Sequence, residues 1–300
     1  MDVGDGVVSA IERACETDLR TALRLVARYS RYWWSRGLED EAAAAAERVL
    51  SMLGRTVPPG LDEEYLLAVI HGAASAEQEQ VELAQQIVDA IDGPFRYSTT
   101  VLLWCLVFGP FEPAEVVEDV LKRNEAGEAW TRAAVELCRG YPGLTRTSPE
   151  EAAQALRTAL GRFRMLDDDW GTFLALSALQ QSADAPLEWT TEALELADRL
   201  GLDEQVGVLL CRRGDLFRAQ GNLDAARHDY GMALSLGERT DLPETIALAH
   251  LGLARTARCC EHVQTARAHL DAVLELPDLE DAHYEARHEL AALERVSATA

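Results

Sequence analysis

Basic residues are scarce in this chain. Lys122 is the only lysine among 28 basic side chains, and 51 acidic residues bring the formal net charge to −23. Proteins bind DNA or RNA by neutralising phosphates with clustered Lys and Arg, so a chain of this charge repels a polyanion at long range. An anionic membrane surface is disfavoured for the same reason. The charge therefore excludes direct nucleic-acid binding and membrane-surface binding from the predicted functions.

Turn-forming residues and long apolar runs are also few. Glycine and proline contribute only 20 and 10 of 300 residues, too few for a β protein with many turns. The most apolar stretch, Val101 to Phe111, is interrupted by Gly109-Pro110. It is about half as long as the roughly 20 residues that a membrane-spanning helix needs. We expect a buried core helix here.

The N-terminus and the cysteines indicate the compartment. Met1 to Asp5 is acidic rather than basic, so a secretory signal peptide is not expected. The six cysteines form no C-x-x-C pair, and most lie in apolar helical patterns, where a thiol behaves as a small hydrophobe. The near-absence of lysine, with many Ala, Leu and Glu residues, is typical of a GC-rich bacterial genome. The chain is predicted to be a reduced, cytoplasmic bacterial protein.

Nearly every segment has the apolar spacing of an amphipathic helix. Ser148-Pro149-Glu150-Glu151 predicts a helix start, with a capping serine, proline in the first turn and glutamate three residues after the cap. Turn signals recur along the whole chain, at Gly37, Pro58-Pro59-Gly60, Gly93-Pro94, Gly109-Pro110, Tyr141-Pro142-Gly143, Gly201, Gly221 and Pro243. Paired helices at steady spacing indicate a repeat protein.

The stretch from Gly207 to Thr240 matches the tetratricopeptide pattern. The matching residues are Leu210, Gly214, Phe217, Gly221 at the turn, Ala226, Tyr230 and Ala233. Small residues at positions eight and twenty, here Gly214 and Ala226, let the two helices of a hairpin approach closely, while bulky residues fill the space between hairpins. Several constrained positions agree in one window, so this match is specific.

The small residue at position twenty also locates weaker copies of the repeat. The candidates are Ala42, Ala84, Ala114, Ala152, Thr190, Ala226 and Ala266, which are 30 to 42 residues apart. The segment from Asp281 to Val296 is predicted to be a solvated terminal helix, as a solenoid needs at its end. The predicted fold is an all-α solenoid of about seven tetratricopeptide-like hairpins with a terminal capping helix, forming one domain over residues 1–300.

The N-terminal segment adds a family resemblance. Asp18 to Leu25, followed by Tyr32-Trp33-Trp34-Ser35-Arg36-Gly37, resembles the first tetratricopeptide hairpin behind the ATPase core of large bacterial transcription activators. These are the signal-transducing ATPases related to MalT, the large LuxR-type regulators and the AfsR-like antibiotic regulators. The resemblance implies that Val7 to Cys15 matches the segment that connects the ATPase to the repeats. The resemblance in helical-repeat architecture extends over the whole chain, whereas the specific match of residues is limited to about the first 50.

Two parts of that family are missing from this sequence. It contains no G-x-x-x-x-G-K-[ST] phosphate loop, and Lys122 has no glycine loop before it. A basic helix-turn-helix cannot be placed in either terminus. The resemblance therefore implies an excised C-terminal sensor region of a regulator, or a stand-alone relative, that neither hydrolyses nucleotide nor binds DNA by itself.

No catalytic or metal centre is predicted. His283 and His288 lack the spacing of a zinc helix, since no H-E-x-x-H occurs. Asp167 to Asp169 precedes Trp170 and is interpreted as a helix cap, because carboxylates favour the positive end of the helix dipole. Adjacent Cys259 and Cys260 are interpreted as free thiols at a turn. We expect no enzyme activity and no cofactor.

The candidate binding surface is the concave face of the solenoid. The resemblance implies that positions two, five, nine and twelve of each first helix line it. These positions predict a binding set of Arg24, Arg31, Trp34, Arg96, Asp215, Arg218, Arg255 and Arg258. The position-five residues Ala27, Thr99, Cys211 and Leu251 are expected on the same wall. Arginine offers a planar fork that suits carboxylate or phosphate groups.

Each of these assignments has a structural alternative. The arginines can pair with carboxylates of neighbouring repeats, as exposed arginines usually do. Trp33 and Trp34 point about 100° apart on a helix, so at least one belongs to the core, and Trp34 is the better candidate for a ligand-facing ring. Acidic residues, Asp229 among them, fall mainly in the second helices of the hairpins, where a solvated face is expected.

The function predicted from these features is a non-catalytic sensor or interaction module of a bacterial transcriptional regulator. Its groove would bind a protein, a peptide or a small anionic effector and pass that state to an ATPase and DNA-binding unit of the same or a partner protein. The alternative is a passive protein–protein scaffold of tetratricopeptide type without an effector.

Overall fold

The computed structural model describes residues 3–180, 186–277 and 279–299. These residues form sixteen α-helices and one 3-10 turn, and no strand occurs among them. The predicted all-α class is confirmed. None of the described helices combines the length and apolarity needed to cross a membrane.

The chain divides into two compact units, Met1–Leu179 and Gln180–Ala300. The helices of the first unit are α1 (Val3–Thr17), α2 (Leu19–Trp34), α3 (Glu39–Leu53), α4 (Asp62–His71), α5 (Gln78–Ala90), α6 (Thr100–Val107), α7 (Ala114–Asn124), α8 (Ala129–Gly140), α9 (Pro149–Met165) and α10 (Asp169–Leu179), with the 3-10 turn at Gly109–Phe111. Those of the second unit are α11 (Leu187–Leu200), α12 (Asp203–Ala219), α13 (Leu223–Thr240), α14 (Pro243–Cys259), α15 (Val263–Leu274) and α16 (Glu280–Thr299). That residues 1–300 form a single domain stays a prediction.

Within each unit, the even-numbered helices form one layer. In the first unit α2 contacts α4, α4 contacts α6, α6 contacts α8, and α8 contacts α10; in the second, α12 contacts α14 and α14 contacts α16. Each of the hairpins α2–α3, α4–α5, α6–α7, α8–α9, α12–α13 and α14–α15 is closed by contacts between its own helices. Six hairpins are thus closed within the two units, and the predicted number of about seven stays a prediction.

The small residues at position twenty all lie in odd-numbered helices, so the predicted register is confirmed. Five of them are buried: Ala42, Ala84, Thr190, Ala226 and Ala266. Ala114 and Ala152 are only partly buried.

The best sequence repeat owes its packing to Tyr230. This side chain on α13 is 1% exposed. A Cβ atom at Gly214 on α12 would lie 2.7 Å from the Cε1 of Tyr230. Glycine at position eight therefore lets the ring lie flat against the α12 backbone, which is the close approach that the sequence pattern predicts.

Helix starts follow the expected capping chemistry. Ser148 Oγ accepts a hydrogen bond from the Glu151 backbone N–H, and the Glu151 carboxylate accepts one from the Ser148 N–H at 2.9 Å, so the predicted capping box is confirmed. In the acidic run before α10, Asp168 is the cap and accepts from the Gly171 N–H at 2.7 Å. Of the apolar stretch from Val101 to Phe111, Val101 to Cys105 are buried within α6 as expected, but α6 ends at Val107 and Phe111 is exposed, so the buried helix is shorter than predicted.

One acidic residue of a second helix does not face solvent. Asp229 on α13 is 2% exposed, and its two carboxylate oxygens accept hydrogen bonds from Arg213 of α12 at 2.7 and 2.9 Å. The solvated face predicted for Asp229 is therefore wrong. Arg213 holds this carboxylate inside the hairpin. The sequence pattern assigns each residue only to a face of its own helix, so it does not predict a pair between two helices.

Candidate functional site

Arg31, in the last turn of α2, reaches the opposite end of the first unit. It forms an ion pair with Asp168, the cap of α10, and the two residues are separated by 137 positions in sequence. Its Cζ also lies 5.1 Å from the centroid of the Trp130 ring of α8. The Asp168 side chain is only 10% exposed, whereas that of Arg31 is 44% exposed. This contact fastens the first hairpin to two later helices of the same unit.

The surface beneath Arg31 is aromatic. The rings of Trp130 and Trp170 stack at 5.6 Å with an interplanar angle of 15°. Phe163 of α9 packs against Trp130 at 5.5 Å. A guanidinium group over an indole face, with a carboxylate at its edge, gains both a cation–π interaction and a charge-assisted hydrogen bond. Sequence reasoning assigned Asp168 a cap and missed this second role.

The two adjacent tryptophans of α2 have different environments. Trp33 is fully buried and makes an edge-on contact with His71 of α4 at 5.6 Å. Trp34 is half-buried, and its Nε1–H donates to His71 Nδ1 at 3.3 Å. Trp33 is thus the core residue of the pair, but the indole N–H of Trp34 already has a protein acceptor.

His71 is held in one tautomer by this arrangement. Because Nδ1 accepts from Trp34, the ring proton belongs on Nε2, which lies 2.7 Å from Ser30 Oγ. The Ser30 hydroxyl in turn donates to the carbonyl oxygen of Val26. Burial lowers the pKa of His71 to about 4, so the imidazole is neutral at physiological pH.

Arg96 lies in the segment before α6, beside two carboxylates of α4. Glu63 accepts hydrogen bonds from the backbone N–H groups of Arg96 and Tyr97 and from the Thr100 hydroxyl, each at 2.8 Å. Glu64 accepts from the Arg96 guanidinium at 2.5 Å and from the Tyr97 hydroxyl at 3.0 Å. Burial raises the pKa of Glu63, while these hydrogen bonds oppose the shift. Arg96 remains 58% exposed above a buried acidic pair.

In the second unit, the predicted polar residues of α12 pair within their own hairpin. Asp215 Oδ1 accepts from Tyr230 Oη at 2.8 Å and from Arg218 Nη2 at 3.0 Å. Burial, followed by the charge of Asp215, raises the pKa of Tyr230. Asp215 therefore serves the core tyrosine as well as the surface arginine.

The arginines of α14 pair with the terminal helix α16. Arg255 contacts Glu285 at 2.6 Å and Glu289 at 3.1 Å, and Arg258 contacts Glu289 at 3.3 Å. The side chains of Arg255 and Arg258 are 27% and 45% exposed. These pairs attach the terminal helix to the preceding hairpin.

Five of the six predicted arginines thus have carboxylate partners, as the structural alternative anticipated: Arg31, Arg96, Arg218, Arg255 and Arg258. Arg24 is exposed and forms no ion pair with any described residue. One turn away, Arg28 is also exposed and unpaired in the described part of the chain. The position rule omits Arg28, although its four-residue spacing from Arg24 is the signal that could have found it.

The position-five residues do not line an open wall. The predicted ones are buried between helices: Ala27, Thr99, Cys211 and Leu251. Their expected place on the binding surface is wrong, because contacts between successive even-numbered helices cover that row. Whether the remaining residues bind a ligand stays a prediction.

The surface cavities lie away from the predicted groove residues, and the described residues contain no cluster of metal-ligand type. A surface cavity of about 400 Å³ is bordered by α7 and the segment before α9, with Glu115, Asp119 and Arg146 in its wall. A smaller one, about 230 Å³, lies beside α3 and α5. No predicted groove residue lines either cavity. Over the described ranges, no three His, Cys, Asp or Glu side chains converge as a metal site.

Comparison with known proteins shows a likeness of fold. No family model matches the chain, and no curated protein matches it. Among solved structures, it is similar to a signal-transduction ATPase with numerous domains from Pyrococcus horikoshii, described as a protein with a tetratricopeptide repeat sensor. The similarity has a TM-score of 0.53 at 13% identity and covers 83% of this chain but 41% of that one. It confirms the tetratricopeptide-like fold.

Proposed function

We propose that this chain is a non-catalytic sensor or interaction module of tetratricopeptide type. The repeat fold and its likeness to a protein with a tetratricopeptide repeat sensor support this role. Sequence adds the segment from Asp18 to Gly37, which forms α2 behind an Asp18 cap. The regulator, in this proposal, is a bacterial, cytoplasmic transcription activator, whose ATPase and DNA-binding unit is attached to the module or is its partner.

The proposed ligand is a protein, peptide or small effector that carries carboxylate or phosphate groups. The observation behind this choice is the exposed face of α2, where Arg24 and Arg28 have no ion-pair partner in the described part of a chain of net charge −23. Arg31 follows at the next turn, so the three guanidinium groups share one helix face. Arginine forks bind such oxygen anions through paired hydrogen bonds.

Binding at this face has a direct route to conformational change. An anionic group that engages Arg31 competes with Asp168, which joins α2 to the start of α10. Loss of that pair releases one end of the first hairpin from α8 and α10. A ligand shifts such an equilibrium only by its difference in affinity between the two states, and an anion that needs Arg31 supplies that difference.

The test is binding of a fluorescein-labelled acidic peptide rich in Asp and phosphoserine, measured by anisotropy at low and physiological ionic strength. The Arg24→Glu/Arg28→Glu double variant should lose at least tenfold in affinity while its helicity and melting temperature stay unchanged. Arg157→Glu is the matched control, because Arg157 is an exposed arginine on α9 that has no ion pair among the described residues. Equal binding by the double variant and the control would contradict the α2 site.

A passive scaffold is the second candidate. It is favoured by the pairing of five predicted groove arginines with the chain's own carboxylates, because paired groups leave less charge for a small effector. A pull-down that returns the same partner with and without added metabolites would support the scaffold. Metabolite-dependent capture would support the sensor, and a phosphate-loop ATPase encoded upstream of Met1 would support the regulator context.

A further inference from the structure

Two histidines of the last hairpin face each other across its helices. His250 lies on α14 and His269 on α15, and both side chains are half-buried. Their Nδ1 atoms are 3.0 Å apart, and their ring centroids are separated by 5.2 Å at a tilt of 40°. Neither residue belongs to the arginine-bearing surface described above.

A single proton can occupy the space between these two nitrogens. In the neutral pair, one Nδ1–H donates and the other Nδ1 accepts; if both rings are charged, two N–H groups oppose each other. Burial lowers the pKa of both histidines, and the neighbouring His269 lowers that of His250 further. The charge of Glu238 on α13 opposes the shift at His250. Both shifts favour the neutral imidazole, and this is the form that binds metal ions.

The spacing also suits coordination. Metal–imidazole bonds are about 2.0–2.1 Å long, so two nitrogens bound at angles between 90° and 110° lie about 2.9–3.4 Å apart. The Nδ1–Nδ1 distance of 3.0 Å falls in this range. An ion could thus bind both rings with small side-chain rotations while the helices keep their positions.

We propose that His250 and His269 form a binding site for a divalent transition-metal ion, namely Zn²⁺, Ni²⁺ or Cu²⁺, through their two Nδ1 atoms. The Nδ1 proton of the neutral pair moves to Nε2 of the same ring through solvent, so binding needs no net loss of a proton. Water completes the coordination, since the two imidazoles are the only protein ligands that the described residues supply. Imidazole nitrogen selects these ions over Mg²⁺ and Ca²⁺, which prefer oxygen.

The site does not depend on the proposed sensor function, but it acts on the same hairpin that carries Arg255 and Arg258. A metal bound to His250 and His269 links α14 to α15 and stabilises the folded hairpin by mass action. The melting temperature should therefore rise with metal concentration.

The experiment uses the full chain after chelator treatment and chelator removal. Titration calorimetry with NiCl₂ should give one site per chain, and MgCl₂ should give none. His250→Ala and His269→Ala should each weaken Ni²⁺ binding at least tenfold. His228→Ala and His262→Ala, which remove exposed histidines of the same unit, should leave the affinity unchanged. Cys259→Ser tests the exposed thiol at the end of α14 and should also have no effect.

Two results would overturn the proposal. One is equal Ni²⁺ affinity in the wild type and in both histidine variants, with folding verified by circular dichroism. The other is a wild-type imidazole ¹⁵N spectrum in which Zn²⁺ leaves the Nδ1 resonances of His250 and His269 unshifted. The second measurement needs no variant, so it decides the matter even if a substitution unfolds the hairpin.

Discussion

The ring of Tyr230 occupies the space that a side chain at Gly252 would need. Tyr230 lies on α13 and Gly252 on α14, the first helix of the next hairpin, and a Cβ atom built at Gly252 would overlap the ring. The same ring also lies against Gly214 of α12. One aromatic side chain thus joins two consecutive hairpins, and two glycines make room for it.

Gly252→Ala should destabilise the second unit by about 1–3 kcal/mol, the range of an overpacked core. The intrinsic preference of a helix for alanine recovers up to about 1 kcal/mol but does not remove the clash. Urea unfolding followed by circular dichroism measures the change. Gly231→Ala is the control, because nothing lies within 4 Å of a Cβ atom there, so this substitution on α13 should stabilise by about 0.5–1 kcal/mol. Equal effects of the two substitutions would contradict the packing argument.

The pH dependence of stability should include a contribution from His71. Its pKa falls from an ordinary 6.5 to about 4 on folding, so the unfolded chain takes up a proton before the folded chain does. The stabilisation is therefore complete above pH 6.5 and is lost as the pH falls toward 4. The loss amounts to about 3 kcal/mol at most, because each pKa unit corresponds to about 1.4 kcal/mol.

The measurement is the free energy of unfolding from pH 7.5 to 4 in the wild type and in His71→Gln. The difference between the two proteins removes the contributions of all other acids and bases, Glu63 included. The difference in the free energy of unfolding between the wild type and His71→Gln should shrink as the pH falls. A difference that is the same at every pH would show that His71 titrates alike in both states.

The buried ion pair between Asp229 and Arg213 predicts a large mutational effect. Asp229→Ala leaves a half-buried guanidinium without its two hydrogen-bond acceptors and should cost about 3–5 kcal/mol. Asp224→Ala is the comparison on the same helix, since its pair with Arg227 is exposed and worth less than about 1 kcal/mol. Thermal melting of both variants compares the stability lost on removing each carboxylate. Similar melting temperatures would mean that the internal pair contributes no more than the surface pair.

Removal of the Arg31 side chain should uncover the stacked indoles. In Arg31→Ala, acrylamide should quench the fluorescence of Trp130 and Trp170 more strongly, because the guanidinium covers the Trp130 face. A matched pair in the Trp130→Phe background isolates the signal from the other tryptophans. Arg24→Ala, a change on the exposed part of the same helix, should leave quenching unchanged. The idea fails if Arg31→Ala has no effect on the quenching constant.

Helix order and hairpin register could be predicted from local pattern. The close approach of Gly214 to Tyr230 follows from residue sizes at repeat positions, and the Ser148 capping box follows from a four-residue motif. The binding surface could be predicted less well from the sequence, because the position rule places Ala27 and Leu251 on an open wall although both are buried. Helical position indicates which way a side chain points, but the distance to the next helix decides whether solvent reaches it.

The sequence by itself determined the all-helical class, the pairing of helices into hairpins, the glycine register and a strong negative charge, because these depend on composition or on residues within one or two repeats. Only the tertiary structure decided that Arg31 meets Asp168 and that His250 meets His269. Both pairs join different helices, so their distances depend on how those helices are rotated and on the angles at which they cross. Those angles arise from the packing of whole helix faces, which no short stretch of sequence encodes.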